Sequence, residues 1–332
     1  PGAPASLGPF AALVGESPRL RAVLDAAARV ARDDIPLLVL GESGTGKELL
    51  ARALHLASPR RDGPFVAESC AALPEALLES DLFGHVRGAF TGADRDRAGL
   101  FARAHGGTLF LDEVGETTPA LQAKLLRALQ EGEVRPVGAA QPVKVDVRVI
   151  AATNRDLALL RREGAFRDDL YYRLGGATLL LPPLRERHDD VLLLAEHFLA
   201  AAARRQGRRR LRLEPAAAAL LRAHPWPGNV RQLEHVLRGA ALFAERGRVG
   251  VAALRAAGLD APPPGADART ADSTASSLPA THAALRDELD ARERAFLRAA
   301  LEAAGENRAR AAAAVGLSRY AFNRTLRRLG LG

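Results

Sequence analysis

Between Val14 and about Leu181 the chain alternates between two kinds of pattern. Short, mostly apolar runs of four to seven residues occur at Leu37–Leu40, Phe65–Ser69, Thr108–Asp112, Val147–Thr153 and Thr178–Leu181, and predict strands. Longer stretches of mixed apolar and polar positions lie between them and suit helices. Strands that alternate with helices predict an α/β fold, a parallel sheet sandwiched by helices. From Leu184 to about Leu259 the pattern is helical only. Helices are predicted over Asp190–Ala203, over Glu214–Ala223 and from near Asn229 to about Glu245, with Asn229 as the N-cap after Pro227 and Gly228. Ala261–Ala280 is rich in Pro, Ala, Ser, Thr and Asp and reads as a linker. The chain from about Leu285 to Leu331 is helical again. The organisation is therefore an α/β unit at 10–182, a helical unit at 183–259, a linker at 260–282 and a terminal helical unit at 283–332.

Composition changes this picture little. Hydrophobic residues make up 48% and charged residues 26%, an ordinary soluble balance. No stretch approaches the roughly 18 apolar residues of a membrane span, and Pro1–Pro9 lacks a secretory pattern. The single cysteine, Cys70, excludes an internal disulfide and suits a reducing cytoplasm. A net charge of +8 points only weakly to an anionic partner, because nearly all basic residues are arginine in an alanine-rich chain, as a GC-rich genome would encode. Methionine is absent even at position 1, so the expectation is a chain without its natural start, lacking an N-terminal regulatory domain. The eight histidines show no paired metal spacing, and Trp226 reads as helical-unit core. Arg204, Arg205 and Arg208–Arg210 read as solvated charge in a loop.

Chemistry enters at the end of the first run. Leu37–Leu40 feeds into Gly41, Glu42, Ser43, Gly44, Thr45, Gly46, Lys47 and Glu48, and a helix is predicted over Leu49–His55. Strand, glycine-rich turn, lysine and helix are the parts of a phosphate-binding loop. The glycines let backbone N–H groups converge on the anion, the helix N-terminus adds positive potential, and Lys47 neutralises phosphate oxygens. Glu48 departs from the general motif, which has Ser or Thr there. A second run, Thr108–Asp112, ends in adjacent carboxylates, Asp112 and Glu113. That arrangement resembles a Walker B segment, in which Asp112 would hold Mg2+ and Glu113 would polarise the attacking water. A third run ends at Thr153 and Asn154, a polar pair at the end of a strand.

Residues Gly88, Ala89, Phe90, Thr91, Gly92 and Ala93 spell GAFTGA. An aromatic on a glycine-flanked tip between helical stretches reads as a contact residue. This hexapeptide, with GESGTGKE, LFGH, GGTLFLDE, FRDDLYYRL and WPGNVRQLE, resembles the sigma-54-dependent activators, the NtrC-like AAA+ enhancer-binding proteins. The resemblance covers about residues 13–250 and resumes in the last 40 or so. It implies an ATPase using ATP and Mg2+, a ring of six or seven copies, and sigma-54 RNA polymerase holoenzyme as the target of the Phe90–Thr91 loop. It further implies that Arg167 and Arg173 are arginine fingers reaching a neighbour's site, that Asn154 and Arg231 are nucleotide sensors, and that Val14 and Gly15 border the nucleotide. Family members usually have Asn where Ser69 stands, thought to hold Glu113 at rest. The shorter Ser69 predicts a looser switch.

From Gly305 onward six arginines face one glutamate. Small Ala311–Val315, the turn at Gly316 and Ser318 predict helix, tight turn and helix, similar to the Fis-type helix-turn-helix of the same family. Ser318, Arg319, Tyr320 and Asn323 lie near the start of the second helix, with Arg319, Tyr320 and Asn323 as candidate base readers of enhancer DNA. Arg324 and Arg327 suit phosphates. Two rivals account for less. A DNA-binding regulator that has lost its motor would not need an intact hexapeptide, Lys47, Asp112, Arg167 and Arg173. An AAA+ remodeller of another substrate explains the ATP site but not the hexapeptide or the terminal helices.

Overall fold

The structure, a computed structural model, describes residues 8–90, 92–187, 189–207 and 210–259, and, nearer the end, 294, 297–298, 301, 307–314, 322 and 325–326. The chain divides into two compact units, Pro1–Ala266 and Asp267–Gly332.

In the first unit the strands and helices follow in chain order. They are α1 (Pro18–Val30), β1 (Leu37–Leu40), α2 (Lys47–Leu56), β2 (Phe65–Ser69), α3 (Glu75–Phe83), β3 (Gly84–His85), β4 (Arg97–Ala98), α4 (Leu100–Arg103) and β5 (Thr108–Asp112). Next come α5 (Pro119–Glu131), β6 (Glu133–Val134), β7 (Val143–Lys144), β8 (Arg148–Thr153), α6 (Leu157–Arg162), α7 (Asp168–Leu174) and β9 (Ala177–Leu180). The helical part holds α8 (Asp190–Arg205), β10 (Arg212–Leu213), α9 (Pro215–Ala223), α10 (Asn229–Leu242), β11 (Arg248–Val249) and α11 (Val251–Ala256). All five expected strands are present, and Arg204 and Arg205, expected in a loop, instead complete the last turn of α8. The alanine run Ala200–Ala203 carries the helix through them. Arg208 and Arg209 lie outside the described residues.

The central sheet is parallel in the order β2-β5-β8-β1-β9. Its three central strands, β5, β8 and β1, are buried on both faces, so their apolar runs are continuous rather than alternating. Period two still sorts them. Leu38, Leu109, Leu111, Val149 and Ala151 face a core with residues of α3 to α7, while Leu37, Val39, Phe110, Ile150 and Ala152 face the residues of α1 and α2. A carboxyl-end crevice beside β1 follows from the strand order, because the connection from β1 runs to β2 at one side of the sheet and that from β8 runs past β1 to β9 at the other, and ligands bind at such switch points.

A separate core built on Trp226, Leu233, Leu237, Leu194 and Leu221 holds the helical part together. Trp226 is fully buried, and its Nε1–H donates to Leu221 O at 2.8 Å, which satisfies its one polar group. Among the described residues no helix is long and apolar enough to cross a membrane. In the second unit, helix α12 (Arg308–Ala314) is described, and Leu297, Leu301, Ala311, Ala312, Phe322 and Leu326 form a small core. The expected linker residues, and Ser318, Arg319, Tyr320, Asn323, Arg324 and Arg327, lie outside the described residues.

Candidate nucleotide site and output loop

Strand β1 ends at Leu40, and the chain turns through Gly41–Gly46 into α2. Gly44 has φ +77°, and a Cβ there would stand 2.4 Å from Gly228 O, so only glycine allows the helical part this close. Lys47 opens the helix almost wholly buried, and its Nζ donates to Gly41 O at 3.0 Å and Glu42 O at 3.4 Å. Thr45 is buried and donates its hydroxyl to Glu42 O at 2.8 Å. Glu48, the departure from the general motif, is exposed and pairs with Arg52 one turn along α2 at 2.8 Å.

The ends of β5 and β8 bring the acidic pair and Asn154 to the same edge. Glu113 Oε1 lies 3.9 Å from Lys47 Nζ, and Glu113 Oε2 accepts from the Asn154 amide N–H at 3.4 Å. Glu113 has φ +54°, a left-handed conformation that a residue with a Cβ holds only at a cost of about 1–3 kcal/mol. Its backbone N–H donates to Asp112 Oδ1 at 3.0 Å, so the Asp112 carboxylate is held against the strained turn. Ser69 pairs in register with Asp112, and its N–H donates to Glu68 Oε1 at 3.2 Å, while no hydrogen bond joins its hydroxyl to Glu113. Beside it the Cys70 thiol is pushed up to about 12, first by burial and then by the Glu68, Asp112 and Glu113 carboxylates. It stays a thiol at neutral pH and has no nucleophilic role.

The helical part closes over the loop. Arg231, a predicted sensor, donates its N–H to Gly44 O at 3.3 Å and its guanidinium to Ser43 Oγ at 3.2 Å. Asn229 is not the N-cap of α10: Gly228 holds that position, and Asn229 is the first helical residue, fully buried with φ +50°. Its side chain accepts from Leu184 N at 2.8 Å and donates to Glu42 Oε2 at 3.1 Å and Ser43 O at 3.0 Å. Long-range partners have overridden local capping chemistry. Arg185 grips Glu42 with two bonds, at 2.9 and 2.6 Å, and Arg187, buried, donates to Thr45 O at 3.1 Å. Arg185 first, and Asn229 next, hold the Glu42 carboxyl below the usual carboxylate range. Val14 packs against the helical core. At Gly15 a Cβ would meet Asp190 Oδ2 at 2.5 Å, and Asp190 is fixed by Glu16 N, Ser17 N and the Ser17 hydroxyl. Sequence reasoning missed Arg185, Arg187 and Asp190, because single polar residues near a helix start carry no periodic signal.

The hexapeptide lies between two short antiparallel strands, β3 and β4, rather than between helices. Strands of two residues are too short to show a period. Phe90 is 40% exposed, and its ring stands edge-on to the buried His85 with centroids 5.0 Å apart. His85 Nδ1 in turn lies 2.7 Å from the Ser80 hydroxyl. Gly88 N donates to Ala93 O at 2.9 Å and Ala93 N to Phe90 O at 3.0 Å, which closes the tip on itself. Gly92 meets nothing within 4 Å of an added Cβ. Thr91 lies outside the described residues. The base of the loop is fastened to the β6–β7 segment by Val86 N to Val137 O at 3.1 Å and Val137 N to Gly84 O at 2.8 Å.

Both candidate fingers are exposed and engaged by their own chain. Arg167 pairs with Asp169 through two bonds at 3.0 and 2.7 Å, and this holds the Asp169 carboxyl below its usual range. Arg173 donates twice to Leu129 O, at 3.1 and 2.7 Å. No hydrogen bond or ion pair joins either arginine to the phosphate loop.

Comparison with known proteins fits this geometry. Residues 13–180 match the model of the sigma-54 interaction domain, and residues 185–271 match that of the AAA+ ATPase lid domain. The hydrogenase transcriptional regulatory protein HoxA of Cupriavidus necator is 50% identical over 312 residues, covering 94% of this chain and 64% of that protein. The Nif-specific regulatory protein of Azotobacter vinelandii is 50% identical over 309 residues, covering 92% of this chain and 56% of that protein. This chain therefore spans under two thirds of the length of these two relatives. Among solved structures, NtrX from Brucella abortus in complex with ATP superposes with a TM-score of 0.70 at 34% identity, covering 96% of this chain and 69% of NtrX.

Proposed function

The chain belongs to the sigma-54-dependent transcriptional activators of the AAA+ ATPase type, and from that premise we propose that it is a ring-forming ATPase whose hydrolysis cycle drives the Phe90 loop against sigma-54 polymerase and converts its closed promoter complex to the open one. The observation that carries this reading is the meeting of Lys47, Glu113 and Asn154 at one edge of the sheet.

Lys47 neutralises the β- and γ-phosphate oxygens. Glu113, held by its strained backbone and accepting from the Asn154 backbone N–H, polarises the water that attacks the γ-phosphorus. The bond from that phosphorus to the β–γ bridging oxygen breaks, ADP leaves, and the water's proton passes through Glu113 to solvent. Among the described residues no cluster of three or more His, Cys, Asp or Glu could hold a metal. Mg2+ commonly takes one or two carboxylates with phosphate oxygens and waters, so Asp112 fits it and Glu48, turned out to Arg52, does not. When bound with ATP, Mg2+ supplies charge neutralisation between the phosphates. Arg167 and Arg173 complete the site of a neighbouring copy, where a guanidinium offers forked, permanently charged donors. Arg231 reads the nucleotide from the lid. Ser318, Arg319, Tyr320, Asn323, Arg324 and Arg327 hold enhancer DNA.

Purified chain is mixed with sigma-54 holoenzyme and a promoter carrying an enhancer, and single-stranded promoter DNA is probed chemically. Open complexes that form with ATP and not with ADP support the reading. ATP hydrolysis without open complexes on any sigma-54 promoter would assign the motor to another substrate.

A further inference from the structure

The lid-side bonds to the phosphate loop backbone all end on carbonyl oxygens. Asn229 Nδ2 donates to Ser43 O, the Val230 and Arg231 amides donate to Gly44 O at 3.0 and 3.3 Å, and Arg187 donates to Thr45 O. A peptide's C=O and the next residue's N–H point in opposite directions. Fixing the Ser43 and Thr45 carbonyls toward the lid therefore turns the Gly44 and Gly46 N–H groups the other way, free of the lid. The lid thus orients the very donors that a phosphate loop presents to an anion.

Glu42 is anomalous in this setting. A carboxylate on a loop that recognises phosphate repels the ligand. Its side chain, however, is directed into the lid, where Arg185 binds it through both oxygens and Asn229 adds a third bond. The backbone of Glu42 belongs to the loop, while its carboxylate belongs to the lid.

We propose that Glu42 is a positioning residue, a latch through which Arg185 and Asn229 hold the lid to the phosphate loop and keep the loop's N–H groups set for ATP. Lid position and the loop's readiness for phosphate are then a single equilibrium, and movement of the lid on loss of nucleotide passes through this contact. The inference rests on the reading of Gly41–Lys47 as the ATP loop. Arg185 and Glu42 are both near half exposed, where a lone ion pair contributes little; forked geometry and the third partner place this one near the upper end, about 1 kcal/mol. That corresponds to about fivefold in Kd.

The sign of the effect tests the latch. Binding of a fluorescent ATP analogue is measured for wild type, Glu42→Ala, Arg185→Ala and the double variant, with thermal melts to verify folding. The latch predicts that Glu42→Ala weakens binding about fivefold, although it removes a negative charge. It also predicts that the double variant binds no more weakly than the weaker single, because both act through one contact. If the carboxylate acted only by its charge, Glu42→Ala would tighten binding and would partly restore Arg185→Ala; that result, or unchanged binding, overturns the latch. Should Glu42→Ala fail to fold, Glu42→Gln is read instead. It keeps an acceptor for Arg185, so the latch predicts an intermediate loss and the charge reading a gain. A wild-type chain that binds no ATP overturns the ATP-loop reading itself, a separate outcome.

Discussion

Where β1, β5 and β8 end, the candidate groups touch one another around a buried lysine, whereas around helix α7 they are exposed and touch only acceptors of their own surroundings. Lys47 has a side chain only 5% exposed and faces Glu113, which reaches Asn154. Arg167 and Arg173 rest on Asp169 and on Leu129 O, a carbonyl in the last turn of α5 that attracts a cation as helix C-termini do. The first arrangement is formed wholly within one subunit. The second consists of exposed contacts, readily given up for charge-assisted bonds to phosphate. On the proposed function, a single copy holds one half of an ATP site ready and the other half in reserve, as a ring of copies requires.

The sharpest way to break this contrast is Arg173→Ala. Turnover falls by on the order of 10³-fold, while ATP binding by the subunit changes less than about threefold, about 0.65 kcal/mol. Mixing Arg173→Ala with Lys47→Ala subunits restores part of the rate, because some interfaces then pair an intact loop with an intact finger. Loss of binding equal to the loss of turnover would place Arg173 in its own subunit's site.

Phe90→Ala and Thr91→Ala separate the output loop from both halves. Affinity for sigma-54 in the ATP-bound transition state falls by about 30-fold, roughly 2 kcal/mol as for an interface hot spot, and ATPase activity largely survives. A parallel fall in both would mean that the loop props up the ATP site.

A smaller effect sharpens the Lys47 half. Ser69→Asn restores the longer amide side chain that the family usually has beside Glu113. The basal rate drops by about tenfold, close to one hydrogen bond to a charged group, and sigma-54 restores it. Identical ATPase kinetics with and without sigma-54 would remove Ser69 from the switch.

The smallest effect lies beneath the sheet. Burial first, then Arg148, holds His55 below its ordinary value of 6.5, with Nδ1 2.9 Å from the Thr108 hydroxyl. A depressed histidine gives stability that is fully present above 6.5 and lost as pH falls below it toward the folded value. Urea melts of the ATPase unit at pH 7.5 and 5.5 measure that loss, and His55→Asn reduces it; an unchanged slope with pH would remove His55 from the account.

The Lys47 half was legible in the sequence because its parts carry local signals. Leu37–Leu40 runs into three glycines and a lysine, and Thr108–Asp112 ends in paired carboxylates. The tertiary layer was not legible. Asn229 looks like a helix cap after Pro227 and Gly228, yet its partners are Leu184, Glu42 and Ser43, far away in the chain. Arg185 and Arg187 have no periodic signature, and the β3–β4 and β6–β7 pairs are too short to show a strand period. The candidate fingers could be named from the sequence, but the resting contact of Arg173 could not, since Leu129 O is a backbone acceptor that no sequence marks.

One titration tests the central claim most directly: specific ATPase rate as a function of protein concentration, followed from well below to well above the assembly range. Division of the site between copies predicts a rate per subunit that starts near zero, climbs steeply as rings form and then levels off. A rate per subunit that is substantial and constant at every concentration would show that one copy holds the whole site, and the contrast between its two halves would have no functional meaning.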